Sequence, residues 1–225
     1  MKLLSISKFL MILILPFLLL LFFSIHYGFD NSFYQEKFSQ YNVQKKVPNA
    51  YSLHEKVMNF IDGRSNALPN DFNEREKQHL QDVRAAARMS MIVFYVLIIL
   101  FVVLMSASLI ILKVNTHVLI FAGKIFVFGG ILTLLLSAIL FLFLRSDFSG
   151  TFEAFHNIFF KRGTYLFNPE KEIIVNLYPE KLFMDIGIQI TKGVILSAVS
   201  ITIIGIIFIL ISKPKRINKE KIQFR

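Results

Sequence analysis

The sequence predicts an all-α integral membrane protein with four transmembrane helices, an extracytoplasmic helical subdomain and an interfacial aromatic helix. Two observations predict this class. Of the 225 residues, 55% are hydrophobic and only 18% are charged, whereas soluble domains carry roughly 25% charged residues. The hydrophobic residues are also concentrated in four long blocks, each close to the ~20 residues that a helix needs to cross a bilayer.

The four apolar blocks are the predicted spans. The first could instead be a cleaved signal peptide, but no small-x-small cleavage site follows it, so we interpret it as a retained anchor. Pro16 and the pair Gly129 and Gly130 lie inside spans, and transmembrane helices tolerate both residue types. We expect residues 1–225 to form a single membrane domain, with spans at about 9–25, 89–112, 119–144 and 194–212 and large loops at 28–88 and 145–192.

The distribution of charge predicts the orientation. The net charge is +10, and most of it lies in the N-terminal arm, the short connection between the second and third spans, and the C-terminal tail. Basic residues favour the cytoplasmic side, so we expect both termini in the cytoplasm and both large loops outside it. The basic character therefore indicates topology and attraction to anionic lipid, and a nucleic-acid partner is not expected.

The first large loop ends in a predicted helix that continues into the second span. Residues 73–88 contain neither Gly nor Pro and are rich in helix-forming residues. Asp71 or Asn73 supplies an N-cap, and Glu74 and Glu76 suit the positive end of the helix.

One face of this helix combines acidic, basic and imidazole side chains. At 3.6 residues per turn, Arg75, His79 and Asp82 share that face. The pattern therefore places an imidazole between acid and base, one or two turns from the membrane.

The second large loop contains a segment that is neither a span nor an ordinary solvated loop. Residues 152–167 read FEAFHNIFFKRGTYLF, with phenylalanines at helical spacing around His156. This pattern predicts a helix that lies in the interface and ends at Gly163. Residues 172–179 look like an apolar return to the membrane surface.

The residue inventory restricts the chemistry. The chain has no cysteine, which excludes thiol nucleophiles and cysteine-based metal sites. No spacing supports a metal site, a serine nucleophile elbow or a nucleotide-binding loop, and we expect no cofactor. Among the five histidines, His26 and His117 are interpreted as interfacial caps and His54 as a residue of the loop, which leaves His79 and His156 as candidates for catalysis.

Three motifs together resemble the lipoprotein intramolecular transacylase family of bacterial four-span membrane proteins. The first precedes the second span, and the other two follow the third span in the expected order. One departure is Tyr165, where the family pattern has tryptophan. The motif residues are Glu74, Arg75, Glu76, His79, Leu80, Asp82, Val83 and Arg84, then Phe155, His156, Phe159, Phe160, Gly163 and Thr164, and finally Pro179 and Glu180.

The resemblance implies an acyltransferase in the bacterial cytoplasmic membrane. Its substrate is a diacylated lipoprotein, whose sn-2 acyl chain moves from the glyceryl oxygen to the α-amine of the N-terminal cysteine. The product is an N-acyl, monoacylglyceryl (lyso-form) lipoprotein. Besides membrane lipid, no further partner is implied, and a monomer is expected.

The residues fit this chemistry without a protein nucleophile. An α-amine has a pKa of about 7.7–8.0 and imidazole of about 6.5, so a histidine can accept the amine proton and return one to the departing oxygen. We expect His79 and His156 to be catalytic, one as base and the other as acid. Substrate-binding or supporting roles are expected for Glu74, Arg75, Glu76, Asp82, Arg84, Phe155 and Tyr165.

Two other functions remain open on the sequence alone. A membrane ester hydrolase could use the same histidines to activate water. A lipid-binding accessory protein would have no catalytic use for either histidine.

Overall fold

The computed structural model describes residues 2–113, 116–160 and 165–212 of the chain. All regular structure in these ranges is helical. The α-helices are α1 (Lys2–Gly28), α2 (Asn31–Gln40), α3 (Ala50–Ile61), α4 (Glu74–Leu112), α5 (Thr116–Ser146), α6 (Phe148–Phe159), α7 (Ile174–Leu177) and α8 (Glu180–Ile211), and a short 3-10 helix covers Val43–Lys45.

Within the described ranges, four helices are long and apolar enough to cross a membrane: α1, α4, α5 and α8. The predicted all-α, four-span fold class is thereby confirmed. Each helix extends beyond the span predicted for it. In α4 every charged side chain lies between Glu74 and Arg88, so its apolar, membrane-crossing part begins at Met89.

Small residues allow the long helices to approach closely. The α5 and α8 helices form the most extensive pair, and a Cβ added at Gly123 would lie 2.7 Å from the carbonyl oxygen of Gly205. Such backbone contact is common between membrane helices, where van der Waals packing replaces hydrophobic burial. The α1 helix packs against all three other long helices, and the buried hydroxyls of Ser7 and Ser108 join it to α4 at 2.8 Å.

The polar loops fold into a helical subdomain at one end of the bundle. It consists of α2, the 3-10 helix, α3, α7 and the first turns of α4 and α8. Its buried core is apolar and largely aromatic or β-branched, and includes Phe33, Phe38, Val43, Leu53, Val57, Phe60, Phe72, Leu80, Ile174, Leu177 and Leu182.

The start of α4 follows from its capping residues. Asn73 is the N-cap and its side chain accepts from the Glu76 backbone N–H, while Glu76 accepts from the Asn73 N–H in return. This capping box satisfies two N–H groups that a helix end leaves free. The predicted helix from Asn73 into the second span is confirmed.

Residues 172–179 differ from the prediction. Instead of returning along the membrane surface, they include α7, whose Ile174 and Leu177 are buried in the subdomain core. The apolar side chains are explained by this packing and not by lipid contact.

The aromatic segment forms α6, as the pattern of phenylalanines predicted. Asp147 caps it by accepting from the Gly150 N–H, and Phe155, Ile158 and Phe159 are exposed along it. The predicted end of this helix at Gly163 is wrong, because α6 ends at Phe159 and the backbone of Phe160 is already extended. Gly163 itself, the motif residue Thr164 and the basic tail after Ser212 lie outside the described residues. From residue 165 the chain runs back over the first turns of α4.

Candidate active site

The fold brings the two candidate histidines together. His79 comes from the second turn of α4 and His156 from the last turn of α6. Their ring centroids lie 6.2 Å apart, with the ring planes inclined by only 19°. The side chains are 7% and 8% exposed, so the pair is nearly enclosed by protein.

His156 is held in one tautomer. Its Nδ1 lies 2.7 Å from the backbone carbonyl oxygen of Phe152, and because a carbonyl oxygen only accepts, Nδ1 must donate. In the neutral ring Nε2 then carries the lone pair. Burial lowers the pKa of His156, although the bond to Phe152 opposes the shift. The ring is therefore neutral at physiological pH with Nε2 ready to accept a proton.

His79 has a drier environment. Its ring lies between Phe160, at 5.0 Å between centroids, and Phe167, at 5.3 Å. Burial, and secondarily the neighbouring His156, lowers the pKa of His79 to about 4. Its Nδ1 is buried and has no hydrogen-bond partner among the described residues, an uncommon state for a buried polar atom.

A cavity of about 610 Å³ lies on the other side of Phe160 from the histidines, neither of which lines it. One stripe of α4 forms most of its wall, and Leu21 and two phenylalanines complete it. Phe160 lines the cavity and also contacts both imidazoles, at 5.0 and 5.3 Å, so its ring separates them from this space. The α4 residues in the wall are Gln78, Asp82, Ala85, Ala86, Met89, Ser90 and Val93. The volume is within the range of ligand sites, and the wall is mainly apolar.

Glu76 joins the backbone of α7 to the first turn of α4. Its carboxylate is 1% exposed, and besides the capping contact it accepts from the buried Ile174 N–H at 2.8 Å. A buried carboxylate is stable when donors satisfy both oxygens. Glu76 therefore acts on the backbone of α7, and no described contact joins it to His79.

Arg75 reaches the segment that overlies the histidines. Its Nη2 donates to the Leu166 carbonyl, its Nε lies 3.4 Å from Glu172 Oε1, and its guanidinium carbon lies 5.0 Å from the Phe167 ring centroid. Tyr165, from the same segment, lies 4.8 Å from the His156 ring.

Of the other expected site residues, Phe155 contacts an imidazole and Asp82 lines the cavity, whereas Glu74 and Arg84 make contacts elsewhere. Phe155 contacts His156 edge-on at 5.6 Å, and Asp82 lies in the cavity wall. The Glu74 side chain is 91% exposed and pairs with Lys77. Arg84 stacks on Phe60 at 4.6 Å and donates to Asn66, which places its guanidinium against the polar subdomain.

Three residues of the site were not singled out from the sequence: Phe152, Phe167 and Glu172. Phe152 could have been found from its position four residues before His156, where its carbonyl meets the imidazole. Nothing in the sequence around Phe167 and Glu172 indicates a role at the site, since both reach it only through the fold of residues 165–172.

A third histidine is buried elsewhere. His54 is 3% exposed in the polar subdomain, where its Nδ1 lies 3.0 Å from the Tyr178 hydroxyl and the Tyr34 ring stacks on it at 4.4 Å. Burial lowers the pKa of His54 to about 4. It belongs to a closed aromatic core and does not adjoin the cavity.

The four long apolar helices define the class: this is a multi-pass integral membrane protein. The chain belongs to the lipoprotein intramolecular transacylase family, whose model, described as lipoprotein intramolecular transacylase Lit, matches residues 5–183. It is accordingly an acyltransferase, and the resemblance seen in the three motifs is confirmed.

Solved structures of the same family share the fold. The in meso structure of the membrane integral lipoprotein intramolecular transacylase Lit from Bacillus cereus superimposes with a TM-score of 0.76 at 18% identity, covering 92% of this chain and 95% of that one. A variant of that protein with one histidine replaced by alanine gives a TM-score of 0.71 at 18% identity and covers 92% and 93%. No curated protein matches in a sequence comparison.

Proposed function

We propose that this transacylase moves the sn-2 acyl chain of a diacylglyceryl lipoprotein to the α-amine of its N-terminal cysteine, with His79 and His156 as the catalytic pair. The observation that carries the proposal is the near-parallel stacking of two buried imidazoles beside an apolar cavity. The cavity suits the acyl chains, and the imidazoles suit the exchange of one proton between nitrogen and oxygen.

His156 is the base in this mechanism. Its Nε2 takes a proton from the attacking amine as nitrogen bonds to the ester carbonyl carbon. The same imidazolium then returns that proton to the glyceryl oxygen when the C–O bond breaks, so the reaction balances without water. The fixed Nδ1–H of His156 supports this role because it leaves Nε2 as the acceptor.

His79 is the electrophile, a role that replaces the separate acid expected from the sequence, since His156 both takes and returns the proton. Its low pKa keeps the ring neutral, and its buried Nδ1, which has no hydrogen-bond partner among the described residues, gains one if it donates to the oxyanion of the tetrahedral intermediate. A donor aimed at developing charge in a dry site typically contributes about 10²–10³ in rate. Donor and acceptor belong to one substrate molecule, so positioning supplies much of the remaining acceleration.

The aromatic surroundings favour transfer over hydrolysis. Phe152, Phe160 and Phe167 pack on the two imidazoles, which restricts the access of water to an activated ester. A substrate that enters from the cavity has to displace the Phe160 ring to reach them.

We also propose that the site faces the extracytoplasmic side. The basic termini and the basic connection between α4 and α5 favour the cytoplasm by the positive-inside rule. The histidines belong to the opposite end of the bundle, together with the polar subdomain.

Tandem mass spectrometry of a diacylglyceryl-cysteine lipopeptide tests the reaction. Intramolecular transfer leaves the mass unchanged, so the fragments have to show one acyl chain on nitrogen. Replacement of either histidine, His79→Ala or His156→Ala, should lower turnover by about 100-fold or more, while His26→Ala, at an exposed histidine of α1, should not. Near-normal transfer by a folded His79→Ala or His156→Ala protein would exclude the assignment, and loss of one acyl mass would identify a hydrolase.

A further inference from the structure

Arg75 makes three different contacts with one segment of the chain. This segment, residues 165–172, is called the cover segment below. The guanidinium donates to the Leu166 carbonyl, lies 3.4 Å from the Glu172 carboxylate and stacks over the Phe167 ring. A planar guanidinium can satisfy a carbonyl, a carboxylate and an aromatic face together, whereas a lysine ammonium is a single point of charge.

The cover segment in turn contacts both histidines. The Phe167 ring centroid lies 5.3 Å from that of His79, and the Tyr165 ring lies 4.8 Å from that of His156. Leu166 of the segment is itself 65% exposed. The Tyr165 hydroxyl donates to Asn157 Oδ1 at 3.0 Å, which attaches the Tyr165 ring to α6. The contact with Arg75 therefore bears mainly on the Phe167 ring.

Glu172 is the buried carboxylate partner of Arg75. Its side chain is 8% exposed, and its Oε2 accepts from the Asn168 N–H at 2.6 Å, which closes the segment into a turn. The other oxygen faces Arg75. A buried carboxylate without this partner would be left with an unpaired charge, which is costly.

These contacts leave Arg75 poorly placed to hold the oxyanion, since its donors are directed at protein groups. We propose that Arg75 and Glu172 are a positioning pair, which holds Phe167 against His79 and keeps the cover segment over the two catalytic histidines, and so preserves the dry surroundings of the imidazoles. The proposal rests on the proposed function of the histidines and adds two residues that act through them.

Steady-state kinetics with the lipopeptide substrate test the pair. Positioning predicts a fall in kcat with little change in KM, because the chemistry is misaligned while the cavity is intact; a misplacement of 1 Å can cost on the order of 100-fold. We expect kcat to fall about 10-fold in Arg75→Lys, and more in Arg75→Ala. The matched control is Arg64→Lys, since Arg64 also pairs with a carboxylate, Asp62, but on the exposed surface, and its kcat should stay at the wild-type value.

A double-mutant cycle tests the coupling between the two residues. If Arg75 and Glu172 act as one unit, Arg75→Ala combined with Glu172→Gln should lose no more activity than the worse single variant. Fully multiplicative losses would show two independent roles and overturn the pair.

Carbethoxylation of the histidines by diethylpyrocarbonate, followed by peptide mass spectrometry, gives a readout that needs no turnover. We expect His79 to be modified several times faster in Arg75→Ala than in the wild type. Two histidines serve as controls: His54 in the subdomain core should stay protected in both proteins, and the exposed His26 should be modified at the same rate in both, which shows that the reagent concentration is equal. Faster modification of His54 as well would indicate general unfolding and overturn a local role. An unchanged His79 rate together with a raised KM would show that Arg75 binds substrate, which also overturns the proposal.

The two proposals can fail separately. Full activity in His79→Ala would refute the proposed catalytic pair, whatever the labelling shows. Wild-type kcat and labelling in Arg75→Lys, Arg75→Ala and Glu172→Gln would refute the positioning pair, while leaving the two histidines as the catalytic groups.

Discussion

The buried carboxylate of Glu76 provides a quantitative test of how the polar subdomain is joined to α4. One oxygen accepts from the Asn73 N–H at 2.7 Å and the other from the Ile174 N–H at 2.8 Å. A hydrogen bond to a charged group contributes about 1.5–3 kcal/mol. Glu76→Ala removes both acceptors and leaves a buried N–H unpaired, so we expect it to cost about 3–5 kcal/mol.

Glu76→Gln keeps one of the two hydrogen bonds and removes the other. The amide retains one acceptor oxygen and turns an NH₂ group toward the other N–H, so we expect a loss of about 2 kcal/mol. The control is Glu74→Ala, two residues away in the same helical turn. That side chain is 91% exposed and forms a surface pair with Lys77, which contributes less than about 0.5 kcal/mol.

Thermal unfolding in detergent, followed by circular dichroism at 222 nm, is the appropriate assay because the chain has no tryptophan. At about 2–4 °C for each kcal/mol in a chain of this size, Glu76→Ala should lower Tm by roughly 10 °C and Glu76→Gln by about half as much. Equal Tm values for Glu76→Ala and Glu74→Ala would refute the reasoning, because the buried and the exposed carboxylate would then contribute alike.

Two further predictions concern pH and topology. Burial lowers the pKa of His79 to about 4 and lowers that of His156 below its usual 6.5, so neither imidazole is expected to titrate above about pH 6.5. We therefore expect kcat/KM to go on rising toward about pH 8 as the substrate amine loses its proton, and a profile that levels off near pH 6.5 would contradict this. The chain has no native cysteine, so a single introduced cysteine reports the side of the membrane on which it lies. In intact cells, a membrane-impermeant maleimide should label Ser52→Cys but not Lys113→Cys. The reverse labelling pattern would show that the proposed orientation is inverted.

Features that depend on neighbouring residues were accessible from the sequence. The four apolar blocks determine four long helices because a helix satisfies its own backbone in lipid. The capping residue Asn73 and its partner Glu76 are three residues apart, so the start of α4 could be placed from the sequence. The candidate histidines were found because each lies within a short motif.

Other features were decided by tertiary structure. Glu76 was expected at its helix end and in a substrate-binding or supporting role, but its second oxygen accepts from the backbone N–H of Ile174, almost a hundred residues away. Likewise, the apolar character of residues 172–179 is compatible with a membrane surface and with a protein core, and the sequence does not distinguish the two.

The sequence by itself thus determined the class of protein and the number of spans, and it singled out His79 and His156 as candidates, because apolar length, capping and motif spacing are local properties. The tertiary structure decided that His79 and His156 stack on each other, that Phe160 lies between them and the cavity, and that Arg75 contacts the segment of residues 165–172 beside them. These contacts join residues far apart in the chain and depend on how α4 and α6 pack. No periodicity along the sequence encodes them.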